Sequence, residues 1–128
     1  MNPVVHFEMP YEDRERVATF YEKAFGWKMN KLGKEMNDYI TAETAETENR
    51  MVKTPGTING GFYPKSMAKE GCVAVVIAVK DIQAAMKNVA KAGGKVVDKP
   101  VEIPGIGKYV GVVDTEGNRV NLLQPKGM

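Results

Sequence analysis

His6-Phe7-Glu8-Met9 near the start of the chain and Ala74-Val75-Val76-Ile77 just past its middle read as one strand written twice. The same 68-residue step carries Asp13 onto Asp81, at the head of the amphipathic segment that follows each strand, and Gly26 onto Gly94 at its end. A fixed offset shared by a strand, a helix start and a helix stop marks a repeated unit, so the 128 residues predict two copies of one module. The copies differ in chemistry. His6 in the first stands where the second has Ala74, so a site drawing equally on both has lost a donor in one of them.

Working outward, Val4–Met9 is a β-type run closed by Pro10, and Asp13 starts a helix whose Val17, Phe20, Tyr21, Ala24 and Phe25 form an apolar stripe. Gly26 ends it. Trp27–Leu32 and Met36–Ala42 then predict two strands around a turn at Gly33-Lys34, Glu43–Arg50 an exposed loop, Thr57–Tyr63 a fourth strand containing Gly60-Gly61, and Pro64–Gly71 the step between modules. The second copy repeats the order: strand Cys72–Val79, a helix from Asp81 with Ile82, Ala85, Met86, Val89 and Ala92 inward, a stop at Gly93-Gly94, and strands at Lys95–Asp98, Tyr109–Asp114 and Arg119–Gln124. Each half is β-α-β-β-β. The fold class is α+β: two tandem modules, about 1–64 and 72–126, forming a curled, cup-shaped mixed sheet within one domain, 1–128.

Period-2 alternation assigns the faces. Val73, Val75, Ile77 and Val79 lie under the second helix, with Cys72, Ala74, Val76 and Ala78 on the far side; Val5, Phe7 and Met9 lie under the first, with His6 and Glu8 on the far side. Small residues facing away from the helix either leave a concave, largely apolar pocket with a few polar anchors or accommodate close packing of another sheet.

Composition narrows the function. With 43% apolar and 27% charged residues the chain can fold around a core. Net charge is +2, and the lysines at 87, 91, 95 and 99 begin at helical spacing, which fits a solvated helix face, so no nucleic-acid partner is expected. One cysteine, Cys72, in an apolar run suits a buried thiol in a reducing compartment. No apolar stretch reaches the roughly 20 residues of a membrane helix. A soluble, cytoplasmic protein without a membrane partner is expected.

The pattern resembles the vicinal oxygen chelate superfamily of glyoxalase I, extradiol dioxygenases and bleomycin and fosfomycin resistance proteins. The resemblance rests on Val5-His6-Phe7-Glu8, on Phe20-Tyr21-Glu22-Lys23-Ala24-Phe25-Gly26-Trp27, on Val79-Lys80-Asp81-Ile82 and on Asp114 through Gln124, with its Gly117-Asn118 turn before a Leu-rich strand. It implies paired β-α-β-β-β modules and a homodimer. It also implies a metal centre taking one ligand from the first and last strand of each module. His6 is the only matching ligand: the other places hold Ala74, Asn121 and the neutral stretch Asn59-Gly60-Gly61. Three protein donors are the usual minimum for a catalytic site, and a chain with one histidine cannot build a two-histidine triad. Glu8 and Asp38 are the carboxylates left for a different ligand set.

No metal or other cofactor is therefore assigned. The leading expectation is a protein that binds a small organic molecule in its cup, with His6, Glu8, Asn59, Tyr63, Tyr109 and Asn121 as contacts and Trp27 and Tyr39 as aromatic walls. For each a structural role stands beside the ligand role: Trp27 as core, His6 as a histidine satisfied by Glu8 or a carbonyl, Asn121 as a cross-sheet bond. The alternative is a lyase or isomerase acting on a small oxygenated substrate, through a divalent metal recruited by His6 or through His6 and Glu8 as a metal-free base and its orienting partner.

Overall fold

An aspartate starts each helix by accepting the N–H of the residue three along. Asp13 Oδ1 takes Arg16 N–H at 3.0 Å and Asp81 Oδ1 takes Ala84 N–H at 3.1 Å. The computed structural model describes residues 1–68 and 72–127. These group into two compact units, the first His6–Val73, the second Ala74 onward together with Met1–Val5. Lys69, Glu70 and Gly71, the end of the expected Pro64–Gly71 step, lie outside the described residues.

The first unit runs through β1 (Val4–Tyr11), α1 (Arg14–Phe25), β2 (Lys28–Lys31), a 3-10 turn at Lys34–Met36, β3 (Ile40–Glu43), β4 (Thr47–Glu48), β5 (Met51–Val52) and β6 (Asn59–Pro64). Gly26 closes α1 at φ 72°, a left-handed value that glycine adopts without a Cβ penalty. The sheet order is β2-β3-β6-β1, with β1 and β6 parallel so that His6 faces Asn59 and Glu8 faces Gly61. Tyr11, Ile40, Ala42 and Phe62 form the core, and Phe7, Met9, Val17, Tyr21, Trp27 and Met29 close around it. Tyr21 stacks on Trp27 at 4.7 Å, so Trp27 takes its core role.

Two segments depart from the sequence reading. The strand expected from Met36 begins only at Ile40, because Asn37 and Asp38 take left-handed φ of 55° and 56°. The Tyr11 hydroxyl donates to the Asp38 carbonyl at 2.8 Å and Arg14 donates to the Leu32 carbonyl, so this bend is held. Within the expected loop Glu43–Arg50, β4 pairs with β5 around Asn49 and Arg50, at φ 51° and 66°. Two consecutive positive φ angles are what a type I′ hairpin turn requires.

The second unit continues through β7 (Ala74–Ala78), α2 (Ile82–Lys91), β8 (Lys95–Val96), β9 (Val101–Ile103), β10 (Gly107–Val113) and β11 (Arg119–Pro125). Its order is β7-β11-β10-β8, β7 and β11 run parallel, and β9 also pairs with β10. Asp114 organises the turn into β11, accepting from Glu116 N–H, Asn118 N–H and the Asn118 amide at 2.8–2.9 Å. β9, three residues between Pro100 and Pro104, is too short to carry a strand pattern in sequence. The core is Val79, Ile82, Val110, Val112 and Leu122, with Ile77, Met86 and Val89 against it.

Strand parity holds for β7 only where the helix reaches. Ile77 and Val79 meet α2, whereas Val75 and Val73 keep 38% and 63% of their surface. On the other face Ala74, Val76 and Ala78 are all buried. No described helix is long and apolar enough to cross a membrane.

Candidate functional site

On β1 the alternation that sends Phe7 and Met9 into the core turns His6 and Glu8 to the opposite face of the sheet. Beside them β6 carries Gly60-Gly61, and each glycine makes room for a ring. A Cβ at Gly60 would lie 2.3 Å from the Phe7 ring; one at Gly61, on the other face, would lie 2.0 Å from the Tyr39 hydroxyl oxygen. Bare backbone lets Tyr39 lie flat across the strand. Its hydroxyl then sits 3.0 Å from His6 Nε2 and donates to Glu8 Oε2 at 3.0 Å.

Counting protons fixes the histidine. A phenol has one proton, and here it goes to the Glu8 carboxylate. The same oxygen can therefore only accept from His6, whose Nε2 must carry the hydrogen, leaving the Nδ1 lone pair as the open acceptor. Among the described residues Nδ1 has no hydrogen-bond partner, and it is not among the side-chain atoms sealed from solvent without one. Burial lowers the His6 pKa below its ordinary value, with the Glu8 charge opposing. The imidazole is thus held neutral at pH 7, oriented by a phenol that a buried carboxylate orients in turn.

The other expected contacts divide. Asn59, across from His6, spends its amide on structure: its oxygen accepts Thr44 N–H at 2.9 Å and its nitrogen donates to the Thr47 hydroxyl at 2.8 Å. Tyr63 donates to the Cys72 carbonyl at 2.9 Å and accepts from Cys72 N–H, a loop tie. Asp38 lies on the held bend with its carboxylate toward Arg14, away from any ligand set with His6. Tyr39 serves as a polar bridge, not only a wall. Tyr109 is half-buried on β10 opposite Leu123.

In the second unit Asn121, 4% exposed, accepts from Arg119 Nε at 3.3 Å, and Arg119 Nη2 donates to Asp98 Oδ2 at 2.6 Å. A Cβ at Gly111, across from Asn121, would lie 2.2 Å from Nη2. Sequence reading passed over Arg119 and Asp98. The signal is Arg119-x-Asn121 on one strand face, but its partner Asp98, expected at the end of the strand Lys95–Asp98, lies past β8, and sequence does not set it against Arg119. Two surface clefts of about 460 and 510 Å3, lined by Tyr11, Arg16, Phe20 and Lys65 and by Lys28, Glu43, Thr44 and Glu46 among others, include none of these polar groups.

Comparison with known proteins agrees with this architecture. The family model "Glyoxalase/Bleomycin resistance protein/Dioxygenase superfamily" matches residues 4–122. The chain belongs to that superfamily. A glyoxylase-like domain-containing protein of Didymella fabae is 33% identical over 120 residues, covering 87% of this chain and 84% of that protein. Among solved structures, Streptomyces coelicolor methylmalonyl-CoA epimerase (S115T) in complex with 2-nitronate-propionyl-CoA superposes with TM-score 0.71 at 14% identity, covering 100% of this chain and 97% of that one. Methylmalonyl-CoA epimerase in complex with methylmalonyl-CoA and NH4+ gives 0.70 at 15%, over 99% and 96%. At such identities the likeness is one of fold.

The metal ion that the superfamily implies does not fit the donors present. His6 offers one lone pair, at Nδ1, Ala74 has no donor atom, and the Asn121 oxygen is taken by Arg119. Among the described residues no group of three or more His, Cys, Asp or Glu side chains is arranged to hold an ion.

Proposed function

We propose that this superfamily member binds a small organic molecule without a metal ion, using His6, Tyr39 and Glu8 as its polar anchor. The observation that supports the reading is the open Nδ1 lone pair on an imidazole whose other nitrogen is fixed by the Tyr39–Glu8 chain. Such a nitrogen accepts from a ligand hydroxyl or amide N–H, and its fixed tautomer spares the reorganisation that weakens binding. The same reading takes the protein as a homodimer, as the resemblance implies, and as cytoplasmic, as its single cysteine suits. The test is thermal-shift screening of hydroxylated and amide metabolites against wild type and His6→Ala. Compounds that stabilise wild type alone support the reading. A panel that stabilises neither, or both equally, removes it.

A second reading rests on the same imidazole being neutral. An oriented, uncharged histidine is a competent general base, and the structural neighbours include epimerases of methylmalonyl-CoA. His6 would then take a proton from carbon next to a carbonyl and return it, an isomerase or epimerase activity. Incubation with methylmalonyl-CoA in deuterated water decides it: deuterium entering the α-carbon with wild type and not with His6→Ala is the expected result. Equal labelling with both, or none with either, ends this reading and leaves the binding role standing.

A further inference from the structure

We infer that Arg119 of the second unit is the anchor for a carboxylate-bearing small molecule. The guanidinium is a built feature, with three strand or loop positions devoted to it. Gly111 supplies a floor with no side chain, since a Cβ there would stand 2.2 Å from Nη2 and 2.5 Å from Asp98 Oδ2. The buried Asn121 accepts from Nε and Asp98 accepts from Nη2. A guanidinium has five N–H donors. Nε and Nη2 form its side edge, which Asn121 and Asp98 occupy, and three N–H groups remain on the Nη1/Nη2 end. Among the described residues Nη1 has no partner, and it is not sealed from solvent.

An end-on edge held in one plane fits a carboxylate through two parallel hydrogen bonds, the strongest neutralisation an arginine makes. The face matters as well. Leu122 turns into the core against α2, so Arg119 and Asn121 on the same strand point to the opposite side, the side that Ala74, Val76 and Ala78 share. Ala74, where the repeat would repeat His6, brings no polar side chain beside it, and Arg119 and Asp98 are the charges paired over Gly111. A solvated ion pair of the ordinary surface kind needs neither a glycine floor nor a buried amide. Asp98 reduces the net positive charge, so binding is modest and is set by geometry. The assignment concerns the second unit alone and stands or falls independently of His6.

The probes are malonate, succinate and inorganic phosphate at constant ionic strength, titrated into the full chain and followed by the arginine Nε–H signals in 15N NMR. Malonate is expected to move the Arg119 signal saturably in the millimolar range, with phosphate at least fivefold weaker. Arg119→Lys should weaken malonate about tenfold, since an ammonium cannot offer two parallel donors. Asp98→Asn, which keeps an acceptor for Nη2 and removes the opposing charge, should tighten it severalfold. A structural ion pair would not give that gain. Malonate affinity unchanged in Arg119→Lys, a loss in Asp98→Asn, or shifts confined to residues away from Arg119 would overturn the assignment, as would an adventitious, unsaturable response equal for all three anions.

Discussion

Gly61→Ala is the sharpest perturbation of the first unit, because one added carbon must displace Tyr39. The new Cβ would lie 2.0 Å from the phenol oxygen and 2.1 and 2.2 Å from ring carbons, far inside contact distance, so the ring must leave the strand. Leaving forfeits the bond to Glu8, which is 8% exposed, and the bond from His6. Removing one partner of a buried hydrogen bond costs about 1–3 kcal/mol, and overpacking adds about 1–3 kcal/mol where the neighbours resist. A total of about 3 kcal/mol is expected, or about 12 °C in Tm at the about 4 °C per kcal/mol that suits a chain of this length. Urea denaturation gives the free energy, and NMR gives the His6 Nε2–H signal, which should broaden as its acceptor goes. The cycle is closed in a Tyr39→Ala background. With no ring to displace, Gly61→Ala should cost nothing there. A Gly61→Ala protein within about 0.5 kcal/mol of wild type that retains its Nε2–H signal would refute the account of Tyr39.

Four further outcomes are expected from the contacts of the two units. Burial lowers the His6 pKa, so the unfolded chain binds this proton more readily: the stabilising share of neutral His6 is complete above the unfolded value of about 6.5 and is lost as pH falls through the folded one. His6→Gln should flatten that part of the stability–pH curve, and Glu8→Gln should move the His6 midpoint lower still, both read by urea melts and imidazole NMR across pH 4–8. Asn59→Ala removes the clip on Thr44 and Thr47 and should cost about 1–3 kcal/mol by urea melt while leaving the His6 Nε2–H signal in place. Gly111→Ala should expel the Arg119 guanidinium and abolish the malonate-dependent shift of its Nε–H signal without altering the His6 titration.

The fold was legible because two copies of one pattern carry their boundaries in chemistry that local sequence shows. Asp13 and Asp81 cap, Gly26 takes a left-handed φ, and alternation separates Phe7 from His6. Extended regions governed by tertiary contacts were not. Asn37 and Asp38 adopt positive φ because Tyr11 and Arg14 hold the bend from elsewhere in the chain, and nothing local signals that Thr47 will pair with Val52. The site was half legible. His6 and Glu8 follow from parity on β1, and Gly60-Gly61 is plain in sequence, but that the glycines exist for Phe7 and Tyr39 requires knowing which residues face each other across strands. Asn59 and Tyr63 are expected as ligand contacts, and sequence alone does not show the bonds they make. Their partners, Thr44, Thr47 and Cys72, come from loops whose path only the fold supplies.

His6 as a neutral acceptor, free of metal and with its proton on Nε2, is open to direct observation. A long-range 1H–15N spectrum of the imidazole at pH 7.5, recorded before and after one equivalent of Zn2+ and then Ni2+, tests it most directly. The expected spectrum has a protonated Nε2 and a bare Nδ1 that neither ion moves. A bare Nε2, or either nitrogen captured by metal at stoichiometric concentration, would contradict it.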